Sequence, residues 1–226
     1  MPSDTLFLHE ELMLLALKDD KGTVVSGTMY AHAMGGAVLA ELLMAERVAI
    51  RNEKRRSYVD VVRRTQMNDP LLDEWLREMA TAKRPGQVVH WVGKIAGTRS
   101  LRHRVARQLA RRGVLRVSED RVLLVFSRTV YPEVDPAPEQ EILGRLETAI
   151  FEDGDVDPRT AILAALAHHS GLLKIAFDRK RLRSRKARLK AIAEGSVAAK
   201  ATAEAIEAVQ AAIATAAVVS TVVINT

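Results

Sequence analysis

Basic side chains crowd into two stretches of this sequence, and they carry most of the chemistry it can do. In TRSLRHRVARQLARRG, Arg99, Arg102, Arg104, Arg107, Arg111 and Arg112 surround an apolar stripe of Leu101, Val105 and Leu109. The i, i+4, i+8 spacing of that stripe predicts a helix that starts at Thr98 and is stopped by Gly113. Arg99 and Arg102 stand three residues apart at its start, beside Thr98 and Ser100. Guanidinium forks next to the free backbone N–H groups of a helix start make a phosphate or sulfate site. The simpler reading is a solvated helix face with local salt bridges. The second stretch, DRKRLRSRKARLK, packs eight basic residues into 178–190 against Asp178 alone. It suits a nucleic-acid backbone or an acidic membrane surface. It equally suits a solvated helix with Leu182 and Leu189 turned inward.

Other chemistry is thinly represented. There is no G-x-S-x-G, no P-loop and no H-E-x-x-H. The pair Gly35-Gly36 follows no predicted strand and lacks the third glycine of a dinucleotide fingerprint, so it reads as a helix-packing site. His168 and His169 are adjacent and would point about 100° apart on a helix, poor geometry for one metal ion. The pairs Glu10-Glu11 and Asp19-Asp20 read as solvated or capping carboxylates. Without cysteine the chain has neither disulfides nor thiolate metal ligands. No catalytic residue, metal site or cofactor is nominated, and an enzyme is not expected.

The elements that must position the arginines follow from hydrophobic patterning. Hydrophobic residues make up 48 % of the 226, aromatics only 4 %, so Leu, Ala, Val, Ile and Met must build the core. The net charge of +6 favours anionic partners. Leu8–Leu17 and Thr28–Ala45 read as helices, the second apolar nearly all round and therefore central. Asp69-Pro70 is a helix start with Asp as cap and Pro at the first helical position, and Asp135-Pro136 and Asp157-Pro158 start two further helices. The last of these opens a second all-apolar helix. Val48–Ile50 with Tyr58–Val62 reads as one hairpin. Val114–Val117 with Arg121–Phe126, around a Ser118-Glu119-Asp120 turn, reads as another. Ser196 to Val219 reads as a long Ala-rich helix, and the uncharged stretch Ala208–Ile224 as buried core rather than a tail anchor. No secretory leader is expected from the N-terminal residues. No repeat or long linker divides the chain. The expectation is a mainly α, single globular domain over 1–226: a buried apolar helix bundle wrapped by amphipathic helices, plus one or two β-hairpins.

LFLHEELMLLALKDDKG followed by GGAVLAELLMAERVAI resembles the opening of the Golgi phosphoprotein 3 family. DPLLDEWL, HWVGKIAG, SLRHRVARQLARRGVL with RVLLVF, and DPRTAILAALAHHSGLLKIAF follow in the same order, so the resemblance runs from about Leu6 to Lys180. It implies a helical domain with a projecting hairpin, and a non-enzymatic adaptor. It also implies peripheral binding to the cytosolic face of Golgi membranes through phosphatidylinositol 4-phosphate in eukaryotic members. The family's R-x-x-R pair falls on Arg99 and Arg102. Its head-group tryptophan falls around Ser26-Gly27 and its further arginine on Gly35 or its neighbour, so those two side chains are absent here. The family's hairpin, tied to oligomerisation and membrane insertion, maps to about Val114–Phe126, giving Val114, Arg121, Leu123 and Phe126 as candidates for contact between copies. The Ala- and Arg-rich, cysteine-free composition favours a bacterial member. The expected partner is an anionic membrane lipid; nucleic acid, through 99–112 and 179–190, is the alternative.

Overall fold

The computed structural model describes residues 5–18, 22–24, 28–54, 56–122 and 126–194. In chain order the elements are α1 (Leu8–Leu14), α2 (Thr28–Met44), β1 (Val48–Glu53), β2 (Arg56–Val61), α3 (Pro70–Thr81), β3 (Gly86–Gln87), α4 (Val88–Ala96) and α5 (Leu101–Arg111). They continue with β4 (Ser118–Val122), β5 (Phe126–Val130), α6 (Ala137–Phe151), α7 (Pro158–Ser170), α8 (Leu173–Ala176), α9 (Arg179–Ser184) and α10 (Lys186–Ala193). The mainly α architecture expected from patterning forms, with one contiguous hydrophobic cluster at its centre. The expected Ser196–Val219 helix lies outside the described residues.

Two apolar helices make the middle. α2 packs against α1, α4 and α7, and α7 packs in turn against α10. The Gly35 position shows why a helix former is missing there. A Cβ added to it would lie 2.5 Å from the Val92 carbonyl oxygen of α4. The bare backbone lets the two helices approach closely, at a propensity cost of about 1 kcal/mol against Ala.

α1 departs from expectation. All seven of its residues are buried, His9, Glu10 and Glu11 included, so these carboxylates are not solvated. Arginines from three surrounding segments reach inward to them. Arg112 lies 2.8 Å from Glu10, Arg145 of α6 lies 2.6 Å from Glu11, and Arg159 of α7 lies 2.7 Å from Glu41 and 3.5 Å from Glu11. Glu10 also caps its own helix by accepting from the Phe7 amide at 3.0 Å, so the capping half of the expectation holds. Burial disfavours the ionised carboxylates and pushes Glu10 and Glu11 up from the ordinary value, while the arginines oppose it. A buried pair is a weak source of stability, but removing one partner is expensive. The network therefore fixes where α1 sits among its neighbours.

The helix starts read from Asp-Pro are all present. Asp69 accepts from the amides of Leu71 and Leu72 at 2.9 and 2.8 Å, and Asp157 from Thr160 at 3.0 Å. Asp135 accepts from Ala137 at 3.1 Å.

The β units differ in detail. β1 and β2 pair antiparallel from Val48↔Val61 to Glu53↔Arg56, and β3 adds a short third strand beside β2. The second hairpin is shifted from its expected register. Ser118-Glu119-Asp120 is not a turn but the first half of β4, and β4 and β5 pair from Ser118↔Val130 to Val122↔Phe126. The reason is cross-strand charge: Asp120 meets Arg128 directly opposite, N–O 2.9 Å, and opposite charges on facing strand positions stabilise that pairing. Val114 lies before the hairpin and is buried in the core. Arg121 and Phe126 are on β4 and β5, and Leu123 lies outside the described residues.

Candidate anion site at the start of α5

The residues around Arg102 form a cleft of about 630 Å³. Its walls come from α2, from the turn between α4 and α5, and from the strand end of β5. Tyr30, Ala31 and Met34 belong to α2. Thr98, Ser100, Arg102 and His103 belong to the turn and to the first turn of α5. Arg128, Thr129 and Tyr131 complete it.

Local backbone shape opens this site. Ser100 takes a left-handed conformation, φ 60°, and its side chain makes no capping hydrogen bond. The helix begins at Leu101 rather than at Thr98, so Arg99 lies in the preceding turn. Since Ser100 to His103 all line the cleft, the positive end of the α5 dipole lies there too. Tyr131 is held in place by Gly22, whose carbonyl accepts from the Tyr131 amide at 2.9 Å. Gly22 has φ +73° and presses so closely that a Cβ would collide with the Tyr131 carbonyl, which explains glycine at that position.

The polar groups of the cleft are mostly hydroxyls. Tyr30 donates to Met13 Sδ at 3.3 Å. The Tyr131 hydroxyl lies 3.2 Å from His103 Nδ1. Burial pushes both phenols up, and the Arg102 guanidinium beside them opposes that rise. Both stay neutral at physiological pH; Tyr30 spends its proton on Met13, and Tyr131 is hydrogen-bonded to Arg102. Arg128 is tied to Asp120 at 2.9 Å. Arg102 has no carboxylate partner among the described residues. A cation, a helix start and several hydroxyls facing one concave space can hold an anion with hydroxylated surroundings, such as a phosphorylated head group.

Of the two arginines nominated from sequence, Arg102 lines the cleft, whereas Arg99 is exposed and is not among the lining residues. Ser26-Gly27 lies outside the described residues, and Gly35 is spent on the α2–α4 contact. Sequence reasoning missed Tyr30, His103 and Tyr131. A signal was available, because a buried tyrosine in an aromatic-poor chain needs a partner for its hydroxyl.

Several of the other basic residues are committed to the fold. On α5, Arg104 binds Glu74 and Arg112 binds Glu10. In the 179–190 stretch, Arg181 pairs with Glu147 at 2.8 Å, and Arg185 pairs with Asp153 at 2.6 Å. Arg188 donates to the carbonyls of Ala149 and Gly154. A phosphate-tracking nucleic-acid surface would need these side chains free.

With the site described, comparison with known proteins places the chain. The sequence profile of the family described as Golgi phosphoprotein 3 (GPP34) matches residues 8–209. The chain belongs to this family. A curated relative is Vacuolar protein sorting-associated protein 74 of Eremothecium gossypii, 27 % identical over 161 residues. The match covers 63 % of this chain and 48 % of that protein, so the chain spans about half the length of the curated relative it matches. Golgi phosphoprotein 3 family membership fits the helical core, and among the described residues no helix is long and apolar enough to cross a membrane.

Proposed function

We propose that this chain is a peripheral membrane-associated binding protein, an adaptor rather than an enzyme, that recognises anionic lipid head groups of the phosphoinositide type. The observation that carries the reading is the cleft at the start of α5, where Arg102 has no carboxylate partner among the described residues and stands beside neutral hydroxyl donors. Arg102 makes the direct contact. Arg99, exposed one turn earlier, adds longer-range attraction. Family membership supports the same class of ligand, and the whole of 1–226 acts as one such domain at the cytosolic membrane face. Absence of a tryptophan and an arginine at the Ser26-Gly27 and Gly35 positions leaves the hydroxyls of Thr98, Ser100 and Tyr131 to supply the remaining contacts. Discrimination among phosphoinositides is therefore weaker than a fuller set of charges would give. The β4–β5 hairpin, with Arg121, Leu123 and Phe126, is the element through which copies associate on the membrane.

Vesicle flotation tests the reading. The protein should float with phosphatidylcholine vesicles doped with phosphatidylinositol 4-phosphate, and should stay in the soluble fraction with phosphatidylcholine alone. Equal behaviour on both would remove the proposed ligand class.

A further inference from the structure

The 178–190 stretch sorts its basic residues onto two faces. Arg181, Arg185 and Arg188 form one row at i, i+4, i+7 and are tied to the end of α6 and the loop after it. Arg181 also lies over the Phe151 ring at 4.2 Å, and Arg185 donates to the Ile150 carbonyl at 2.9 Å. This row fastens α9 and α10 to the body of the protein. Arg179, Arg183 and Lys186 form the other row, at the same spacing, and none has a carboxylate partner among the described residues. Lys174 of α8 joins them, equally without one.

These four cations surround a groove of about 460 Å³ with a leucine floor. Leu173, Leu182 and Leu189 supply the floor, and His168 at the end of α7 is the remaining lining residue. No carboxylate lines it. Burial first, and then the charges of His169 and Lys174, hold the His168 imidazole below its ordinary value. Four like charges converging with no counter-charge repel one another, and an anion entering the groove would relieve that repulsion. The volume lies in the roughly 300–1,000 Å³ range of small-molecule sites.

We infer that this groove is a second lipid site, which takes one acidic phospholipid with its phosphate on Lys174, Arg179, Arg183 and Lys186 and its alkyl chain on Leu173, Leu182 and Leu189. Donor chemistry separates this ligand from others. Apart from His168, every polar side chain lining the groove is a cation that can only donate hydrogen bonds. A peptide backbone or a sugar would bring N–H and O–H groups that find few acceptors here. A phosphodiester brings acceptors only, and its acyl chains match the leucines. The proposal is independent of the Arg102 cleft, since the two sites share no residue.

A soluble short-chain lipid tests it without a membrane. Dihexanoyl phosphatidylmethanol, an anionic phosphodiester without hydroxyls, kept below its micelle concentration, is titrated by calorimetry into the full chain, into Arg183→Ala/Lys186→Ala, and into Arg102→Ala. Both replaced groove residues are exposed, and matching thermal unfolding confirms that the variants fold. The expected result is saturable binding at the groove, weakened at least about tenfold by the groove variant and retained in Arg102→Ala. Each methylene removed from the acyl chains should weaken it by roughly fourfold, as expected for buried CH2 groups. The proposal is overturned if the groove variant binds as the parent does, or if no saturable binding occurs. It is also overturned if inorganic phosphate binds as tightly as the lipid, or if an oligoglutamate peptide binds tighter, which would assign the groove to acidic polypeptide. Loss of flotation in Arg102→Ala with this titration unchanged would separate the two sites.

Discussion

Burial, followed by the charges of Glu139 and Asp135, pushes the Glu133 carboxyl up to about 7 from the ordinary 4.5. The folded state therefore holds this proton more tightly than the unfolded chain. Its contribution to stability is complete below pH 4.5 and is lost as pH rises through about 7. Replacing Glu133 by Gln should flatten that part of the stability–pH curve, measured by denaturant unfolding from pH 4 to 8. An unchanged slope would show that Glu133 titrates normally. Asp69 has the opposite sign. Burial disfavours its ionised form, but His9, the Leu72 amide and Gln108 outweigh this and hold its carboxyl below the ordinary 3.8. Its contribution is present above that value and is lost on further acidification. Asp69→Ala removes the carboxylate that accepts from both capping amides of α3 and should cost about 2 kcal/mol at neutral pH, the upper end for capping residues. The Asp69 cap was legible from Asp-Pro followed by an apolar run. The raised Glu133 was not, because its leading cause is burial, which the neighbouring Asp135 and Glu139 do not announce in the sequence.

Elements were legible where one local rule decided them and obscure where a partner did. The all-apolar α2 and α7 announced their burial by composition, and the Gly35-Gly36 pair announced close packing. Gly35→Ala should cost about 1–3 kcal/mol of unfolding free energy, because its Cβ meets backbone rather than a movable side chain. Gly144→Ala, where a Cβ would meet nothing within 4 Å, should not destabilise and serves as the control. Burial of α1 could not be read from sequence. Glu10 and Glu11 look like solvent-facing residues until Arg112, Arg145 and Arg159 arrive from more than 100 residues away. Arg159→Leu should be severe, about 3–5 kcal/mol, since it leaves Glu41 with no arginine partner and Glu11 with Arg145 alone. A loss below 1 kcal/mol in thermal or denaturant unfolding would contradict the structural role given to this network. The hairpin register was misread for a similar reason. Acidic residues favour turns locally, but Asp120 is drawn into a strand by Arg128 opposite it.

At the scale of the whole molecule, arginine plays two roles that sequence alone does not separate. Many arginines hold the fold by binding buried glutamates and free carbonyl groups. Others have no carboxylate partner among the described residues, and they include Arg102 in its cleft and Arg179 and Arg183 beside Lys186. The net charge of +6 is thus not a uniform coat, and both proposed sites draw on cations without carboxylate partners among the described residues. Family membership agrees with the mainly α architecture, and the proposed function rests on the Arg102 cleft within it. The central claim is that Arg102 reads the anionic head group. The most direct measurement is the affinity for vesicles carrying phosphatidylinositol 4-phosphate, compared between Arg102→Ala and Arg107→Ala. Arg107 is exposed on the same helix and does not line the cleft, so both variants lose one charge. A lost charged hydrogen bond is worth about 1.5–3 kcal/mol, so Arg102→Ala should weaken binding about tenfold or more, and Arg107→Ala by less than about threefold. Equal losses in the two variants would mean that net charge alone drives binding, and would contradict a site at the start of α5.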